Sequence, residues 1–329
     1  MNGVMPRSFL ALLMLALAAE GAGAQSAMPA DWPSKPIRLI VPFPAGSSTD
    51  VIARIVAQML GPRIGGNFVI ENRVGASGMI GVEAVAHAAP DGYTIGIATT
   101  STQALAPSLS VNVPYDPLRD FAPVAMIGSS PYVLVTYPGL GAKTVPELVA
   151  LAKARPGKLT YGSAGPGSLA HLAGVLFANT VGAEILHVPY KSSAQSVTDL
   201  IAGRLDMQFS TIPPTLPFIR NGQMRGLATS GAQRTAVLPE LPTVAESELP
   251  GYEAALWTAV VMPPAAPPAL VARLNRELVE LLGQPEAKAA LTAQGVDPEP
   301  GKPDALRARV ASDIERWRSV IVKAGIQAE

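Results

Sequence analysis

Cysteine is absent from the sequence, and this absence excludes disulfide bonds, thiolate metal sites and cysteine nucleophiles. Histidine is scarce as well, with 3 residues in a chain of 329, and none has the i, i+4 spacing of a helical metal site. Charged residues make up only 15% of the chain and the formal net charge is zero, so there is no general attraction for nucleic acid or an anionic membrane. We therefore expect no metal, no cofactor and no nucleic-acid partner, and any attraction for a charged ligand must be local.

The apolar run from Phe9 to Ala19 is too short to span a bilayer, which takes about 20 residues. It follows Arg7 and precedes Ala22-Gly23-Ala24. This order of basic, apolar and small residues is typical of a secretory signal with an A-x-A cleavage site. We expect residues 1–24 to be a signal peptide that is cleaved near Ala24, so that the mature chain is exported.

The composition and the hydrophobic periodicity predict an α/β protein with two lobes. Apolar residues make up 48% of a chain that is long enough for two hydrophobic cores. Strand-like runs near residues 37–41, 67–72 and 93–98 alternate with helical patterns, and the same alternation restarts at residue 145. We predict residues 25–126 and 226–329 as a discontinuous first lobe and residues 127–225 as the second, with a ligand cleft between them.

The loop between the first predicted strand and the following helix favours anion binding. It extends from Pro42 to Asp50, where prolines and small residues separate the strand from an apolar helical pattern. The first N–H groups of a helix have no partner within the helix and lie at the positive end of its dipole. Ser47 and Thr49 add hydroxyl donors beside them. The loop is therefore a candidate anion site.

A second loop of the same kind follows the predicted strand at residues 158–161. Small residues from Gly162 to Gly167 lead into a helical pattern that begins at Leu169, with Ser168 as a candidate N-cap. Two such helix N-termini in facing lobes would match a ligand with two negative ends. The alternative is that both loops are ordinary βα connections, in which glycine and serine serve as turn and cap residues.

The second loop also invites two other interpretations. Gly165 to Ala170 fits the G-x-G-x-x-A pattern of dinucleotide sites, but Pro166 lacks an N–H group and Glu184 begins the next strand, where the ribose contact needs the end of the strand. Ser168 and His171 lie one helical turn apart and are candidates for the nucleophile and base of an exported serine hydrolase. No acid is positioned to orient His171 and no G-x-S-x-G motif is present, so capping and helix packing explain the pair better.

Three charged side chains are further candidates for ligand contact. Lys191 follows a predicted strand and is a candidate to neutralise an anion, although a solvated lysine explains it equally well. Asp50 and Asp206 are candidate acceptors for a ligand amine or a bound water, and each is also a candidate cap of a backbone turn.

Short motifs are distributed over nearly all of the chain after the predicted signal. They are Pro42-Phe43-Pro44-Ala45-Gly46 with Ser48-Thr49-Asp50, Glu71-Asn72-Arg73 with Gly75, Ala76, Gly78 and Gly81, Asp91-Gly92-Tyr93-Thr94, Tyr161-Gly162-Ser163 with Gly165, Gly167, Ser168 and His171, Val188-Pro189-Tyr190-Lys191, and Leu241-Pro242-Thr243-Val244-Ala245-Glu246. Together they resemble the substrate-binding proteins of tripartite tricarboxylate transporters, which are also called the Bug family.

The resemblance implies a soluble periplasmic binding protein of the type II two-lobed fold, without catalysis and expected as a monomer. Such a protein captures a carboxylate between its lobes and delivers it to the permease subunits of the transporter in the membrane. By motif, the implied ligand-binding residues are Phe43, Ala45, Gly46, Ser47 and Thr49 in the first loop and Ser163, Ala164, Gly165, Ser168 and His171 in the second.

The identity of the ligand stays open in the sequence. A small mono- or dicarboxylate is expected, and aromatic carboxylates and amino acids are included. The chain departs from the usual family residues at Ser47 and Ser192, where the family has glycine, and at Val74, where it has proline. Because Ser47 and Ser192 lie at or near the proposed cleft, they are candidates to alter specificity. A sensory protein that presents bound ligand to a membrane receptor uses the same binding chemistry and is a remaining alternative.

Overall fold

The computed structural model describes residues 31–323, 325 and 326. The predicted signal peptide, residues 1–24, lies outside the described residues. Within the described part, no helix combines the length and the apolar character needed to cross a membrane.

Strands and helices alternate over most of the described chain. The strands are β1 Ile37–Val41, β2 Phe68–Asn72, β3 Thr94–Thr99, β4 Ala122–Thr136, β5 Thr160–Ser163, β6 Leu186–Pro189, β7 Met207–Thr211, β8 Arg225–Thr229, β9 Ala255–Met262 and β10 Asp297–Pro298. The helices are α1 Ser48–Ile64, α2 Met79–Ala86, α3 Ala106–Leu109, α4 Val145–Ala154, α5 Leu169–Val181, α6 Ser193–Ile201, α7 Ile212–Arg220, α8 Pro268–Gly283, α9 Pro285–Thr292 and α10 Pro303–Lys323. Short 3₁₀ turns lie at Ala76–Gly78 and Pro138–Leu140, and a π-helical turn lies at Ser101–Leu105.

The first part of the sheet is parallel and is covered on both faces. Strand β1 pairs in parallel with β2 on one side and with β3 on the other. Four of the five β1 residues are buried and only Arg38 is exposed, which is typical of a strand with helices on both faces. The predicted α/β class is confirmed.

Strand β4 is the longest of the described strands and links the two parts of the sheet. The sequence pattern predicts two strand-like segments here, at residues 121–127 and 132–137, and that division is wrong because one strand covers 15 residues. Its first half pairs antiparallel with β9, and its second half pairs with β7 and β8. Ser129, Ser130 and Pro131, which separate the two predicted segments, pair with β9, and the register shifts lie earlier, between Pro123 and Ala125 and between Met126 and Gly128.

The strand order is β2-β1-β3-β9-β4-β7-β5-β6, with β8 and β10 also paired to β4. Both β4 and β9 therefore lie where the two parts of the sheet meet. The predicted lobe limits near residues 126 and 226 stay predictions. Strand β8 pairs with the second half of β4, at Val133–Thr136, whereas the next strand, β9, pairs with β3 in the first part of the sheet. This order favours a return of the chain to the first part of the sheet after Thr229.

Helix α10 packs on both parts of the sheet. Leu306 and Val310 belong to a buried cluster that contains β1, β3 and β9 residues. Trp317, Val320 and Ile321 belong to the cluster formed around α5 and β7. Trp257 of β9 is fully buried and donates its indole N–H to Asp313 of α10 (2.6 Å).

Candidate functional site

A cleft of about 540 Å³ lies where loops after β1, β2, β3 and β5 meet. Its lining comprises Phe43, Ala76, Ser77, Met79, Ser101, Leu105, Ala106, Leu109, Ser110, Pro166, Gly167, Ser168, Leu169 and Ile326. The loops follow the carboxyl ends of parallel strands, which is the usual position of ligand sites in α/β folds. A volume of this order is typical of small-molecule sites.

The first loop is held by the start of α1. Ser47 is the N-cap of this helix, and its hydroxyl accepts from the Asp50 N–H (3.3 Å). Gly46 has a φ of +81°, a left-handed conformation that favours glycine, and its N–H donates to the Asp50 carboxylate (2.9 Å). The loop therefore has a defined shape without any ligand contact.

Asp50 is the central group of this loop. It is 2% exposed and accepts from Arg54 Nε (2.8 Å) and from Asn72 Nδ2 (2.9 Å), and the same amide of Asn72 donates to the Phe43 carbonyl (2.9 Å). The hydrogen bond from Arg54 is the main cause that lowers the pKa of Asp50 to about 2, with the Gly46 N–H and Asn72 adding to it against the effect of burial. Of the two interpretations offered by the sequence, the structure shows the intramolecular one.

A strained turn between β2 and α2 forms one wall of the cleft. Ala76 and Ser77 have φ values of +45° and +54°, and they lie between Gly75 and Gly78, which also have positive φ. Left-handed backbone at consecutive non-glycine residues is costly and is concentrated at functional sites. The sequence indicates a turn at this position but does not predict that its residues face the cleft. Alanine and serine occur in every kind of local structure, so they do not reveal the left-handed backbone.

The second loop is closed by serine hydroxyls. Ser168 is the N-cap of α5: its hydroxyl donates to the Gly165 carbonyl (2.7 Å) and accepts from the His171 N–H (3.3 Å). The Ser163 hydroxyl is fully buried, accepts from the Gly165 N–H (3.0 Å) and lies 2.7 Å from His187 Nε2. These contacts determine the shape of the loop from behind.

Two histidines and a tyrosine form a stack beneath the second loop. The rings of His171 and His187 lie 4.0 Å apart, and Tyr161 stacks on His187 at 5.0 Å. His171 Nδ1 accepts from the Gly167 N–H (3.1 Å), so the neutral ring supports the loop. Burial, with a smaller effect of His187, lowers the pKa of His171 to about 4, and burial also lowers the pKa of His187. His187 was missed in the sequence, although it lies opposite Tyr161 in the β5–β6 register.

The contacts of Ser168 and His171 do not form a nucleophile and base. The Ser168 hydroxyl and the His171 ring bond to different backbone groups of the loop and not to each other. The stretch from Gly165 to Ala170, which fits the dinucleotide pattern, also bonds within the protein, because the Gly167 N–H donates to the His171 ring. The capping and packing interpretation of the sequence is the one that the structure shows.

The structure brings together only part of the predicted site. Phe43 and Ser168 line the cleft, and unpredicted lining residues come from the strained turn, the π-helical turn, α3 and Ile326. The other predicted loop residues belong to the two loops but do not line the cleft. In the first loop these are Ala45, Gly46, Ser47 and Thr49, and in the second they are Ser163, Ala164, Gly165 and His171. Lys191 is exposed and follows Tyr190, whose N–H donates to the Ser163 carbonyl (3.1 Å).

Asp206 lies at the opposite end of β5 from the cleft. Its carboxylate accepts from the N–H and the hydroxyl of Thr160 (2.8 and 2.9 Å), the residue at which β5 begins. The cleft adjoins the loop that follows the other end of this strand. Asp206 therefore fixes the backbone at this end of β5 and does not line the cleft, and its role in ligand binding stays a prediction.

Replacing His171 with asparagine is expected to reduce the loss of stability in mild acid. The folded-state pKa of about 4 is below the ordinary value of 6.5, so the unfolded chain binds more protons between these values. The contribution of His171 to stability is complete above pH 6.5 and is lost as the pH falls through 4. At pH 5 this loss of stability amounts to about 2 kcal/mol. Asparagine offers an oxygen acceptor to the Gly167 N–H and does not titrate.

Chemical unfolding at pH 7 and pH 5 measures this difference. The wild-type protein should lose about 2 kcal/mol more than His171→Asn between the two conditions, and His187 contributes to the loss that remains in the variant because its pKa is also lowered. His87→Asn, at an exposed position outside the site, is the control and should behave as the wild type. An equal acid loss in His171→Asn would contradict the assignment.

The described part of the chain matches the model of an established family. The family model described as "Tripartite tricarboxylate transporter family receptor" matches residues 52–326. The chain belongs to this receptor family. Over 306 residues the receptor is 40% identical to BugT of Bordetella pertussis, an alignment that covers 92% of this chain and 94% of BugT.

Solved structures show the same fold. That of R. palustris Rpa4515 with adipate is 38% identical to the receptor, with a TM-score of 0.74, and the match covers 90% of this chain and 99% of that one. MatC from Rhodopseudomonas palustris with bound malate is 28% identical, with a TM-score of 0.69 and coverage of 88% and 100%. The predicted two-lobed binding-protein fold and the Bug resemblance are confirmed. The receptor is a periplasmic solute-binding protein, and because members of the family are binding proteins, the expectation that it is no enzyme is confirmed.

Proposed function

We propose that the receptor captures a small carboxylate in this cleft and delivers it to the permease subunits of a tripartite tricarboxylate transporter. The observation that carries the proposal is that two loops, each ending in a helix N-terminus, approach one cleft from the two parts of the sheet. Helices α1 and α5 have 17 and 13 residues, so each presents a full dipole and unpaired N–H groups at its start. The structures of relatives with adipate and with malate support a carboxylate ligand.

The proposed mechanism is closure of two lobes around the ligand. We assign the hinge to the region where β4 and β9 pair side by side, near Ser129–Pro131 and Ala255–Trp257. An anion that contacts both loops stabilises the closed state relative to the open state, and the permease would recognise the closed state. In this mechanism the first-turn N–H groups at the starts of α1 and α5 contact the anion, while Lys191 adds positive charge beside the second loop.

The proposal includes the periplasm as the location and a monomer as the binding unit.

The two serines that depart from the family are both helix N-caps: Ser47 accepts from the Asp50 N–H and Ser192 from the Gln195 N–H (3.4 Å). Glycine is nearly as good a cap as serine, so Ser47→Gly should alter stability by only a few tenths of a kcal/mol. A role of either residue in specificity stays a prediction.

A thermal-shift screen of the mature protein tests the proposal. The panel comprises aliphatic dicarboxylates, aromatic carboxylates, amino acids and neutral sugars. A ligand at one hundred times its Kd should stabilise the folded state by about 2.7 kcal/mol, which is an increase in Tm of several degrees for a chain of this size. Stabilisation by a neutral sugar and by no carboxylate would contradict the proposal.

Two matched cap variants separate ligand binding from folding. Ser168→Ala and Thr144→Ala each remove an N-cap hydroxyl that accepts at 3.3 Å, but only Ser168 lines the cleft. Both should lower the Tm without ligand to a similar extent. Only Ser168→Ala should reduce the Tm increase that the ligand causes.

A further inference from the structure

The side walls of the cleft are apolar. They are formed by Phe43, Met79, Leu105, Leu109, Leu169 and Ile326. Leu105 and Leu169 are buried, whereas the other four are only partly buried and present hydrocarbon to the open space. Apolar surface that remains accessible within a concave site marks a position where ligand carbon replaces water. We propose that the receptor takes a carboxylate whose body is an unsubstituted chain or ring of five or more carbon atoms, an inference that rests on the proposed carboxylate-binding function.

The charge of the lining narrows the ligand class. Among the described residues, no aspartate, glutamate, lysine, arginine or histidine lines the cleft. An ammonium group brought into this space would lose its hydration without meeting a carboxylate, which is costly. Amino acids and amines are therefore poor ligands. An anionic group is neutralised by helix N-termini and hydroxyl donors, which suits one or two carboxylates better than three clustered ones.

Few polar groups are available to bond a substituted ligand body. The hydroxyls of Ser77 and Ser101 have no hydrogen-bond partner among the described residues, whereas Ser110 donates to the Asn112 carbonyl (3.5 Å) and Ser168 to the Gly165 carbonyl (2.7 Å). Leu109 lies close to the second loop, because a Cβ on Gly167 would be 3.1 Å from its Cδ1. Among the described lining residues, only Ser77 and Ser101 have side-chain hydroxyls that are open to a ligand hydroxyl. A ligand hydroxyl beside Leu105, Leu109 or Leu169 would have no partner, and a buried polar group without a partner weakens binding.

The volume leaves room for a ligand longer than a four-carbon acid. Each methylene that leaves water for an apolar wall contributes a factor of about four in affinity. The Kd should therefore fall about fourfold per added carbon atom until the ligand fills the cleft, and should rise beyond that length. Unsubstituted acids should bind at least tenfold more tightly than hydroxylated or aminated acids of equal length.

Calorimetric titration of the ligand-free mature protein tests the inference. The probes are α,ω-dicarboxylates and monocarboxylates of four to ten carbon atoms, benzoate, malate and glutamate. A Kd that falls with chain length, with succinate tighter than malate and glutarate tighter than glutamate, is the expected result. Malate or glutamate as the tighter member of its pair would overturn it. If no carboxylate binds at all, the proposed function itself fails, so the two failures are distinguishable.

A pair of leucine variants tests whether the walls of the cleft cause the length dependence. Leu109→Asn should reduce the gain in affinity per carbon atom and weaken the longest acids about tenfold or more. Leu186→Asn is the matched control, because Leu186 is an exposed leucine on β6 and does not line the cleft. It should retain the wild-type dependence. An unchanged length dependence in Leu109→Asn, with the fold intact by circular dichroism, would also overturn the inference.

Discussion

Replacing Asp313 with alanine is expected to lower the free energy of unfolding by about 3–5 kcal/mol, the cost of leaving buried charges without their partner. Asp313 is 1% exposed and accepts from the indole of Trp257 and from the guanidinium groups of Arg309 and Arg316. The two arginine side chains are only 20% and 22% exposed, and after the substitution they would retain Glu253 as their only described carboxylate.

The effect should be large because the contact joins two elements that hold the fold together. Asp313 lies on α10, which packs on both parts of the sheet, and Trp257 lies on β9, which pairs with β3 and β4. Losing their hydrogen bond leaves the buried indole N–H without a partner, and the two arginines are left to share one carboxylate, Glu253.

Denaturant unfolding with a thermal scan measures the effect. For a chain of this length the decrease in Tm should be on the order of 10 °C. Asp304→Ala, an exposed position in the first turn of the same helix, is the control and should cost less than about 1 kcal/mol. A loss below 1 kcal/mol in Asp313→Ala would show that the network contributes little to stability.

Replacing Asp50 with alanine is expected to lower stability by about 3 kcal/mol and to weaken ligand binding at least tenfold. The carboxylate accepts hydrogen bonds from the Gly46 N–H and from Asn72, and each bond to a charged group contributes roughly 1.5–3 kcal/mol. Without it the first loop loses the contacts that fix its shape beside Phe43, which lines the cleft. The substitution therefore tests whether the shape of the first loop is required for binding.

Arg54→Ala is the matched control for Asp50. The Arg54 side chain is 52% exposed, so its ion pair with Asp50 is screened by solvent and its removal should cost less than about 1 kcal/mol. Titration calorimetry and unfolding of both variants separate the loop contacts from the ion pair. Equal effects of the two variants would contradict the role given to the loop contacts.

The pH dependence of Asp50 lies in a different window from that of His171. The pKa of Asp50 falls from its ordinary value of 3.8 to about 2, so its contribution is complete above pH 3.8 and is lost as the pH falls through 2. The His171 contribution is already lost in the range between 6.5 and 4. Stability measured down to pH 2 should therefore show two acid steps, and Asp50→Ala should reduce only the lower one, to which Glu71, Asp199 and Glu246 also contribute because their pKa values are lowered.

Local patterns predicted many of the elements closely. The terminal helices were predicted at residues 268–282, 286–294 and 304–324, and they lie at Pro268–Gly283, Pro285–Thr292 and Pro303–Lys323. Helix α7 was missed because Pro213 and Pro214 mark a break in the sequence. Both prolines lie in the first turn of α7, where an N–H group has no helical partner, so they start the helix instead of ending it.

The sequence by itself determined the α/β class, the two loops at helix N-termini and the cap at Ser168, because strand, turn and cap preferences act over a few neighbouring residues. Only the tertiary structure decided which groups face the cleft. It placed Ser77, Leu109 and Ile326 in the lining, Asp206 at the far end of β5, and His187 beneath the second loop. These positions depend on strand order, register and helix packing between residues far apart in the chain, and no local pattern specifies them.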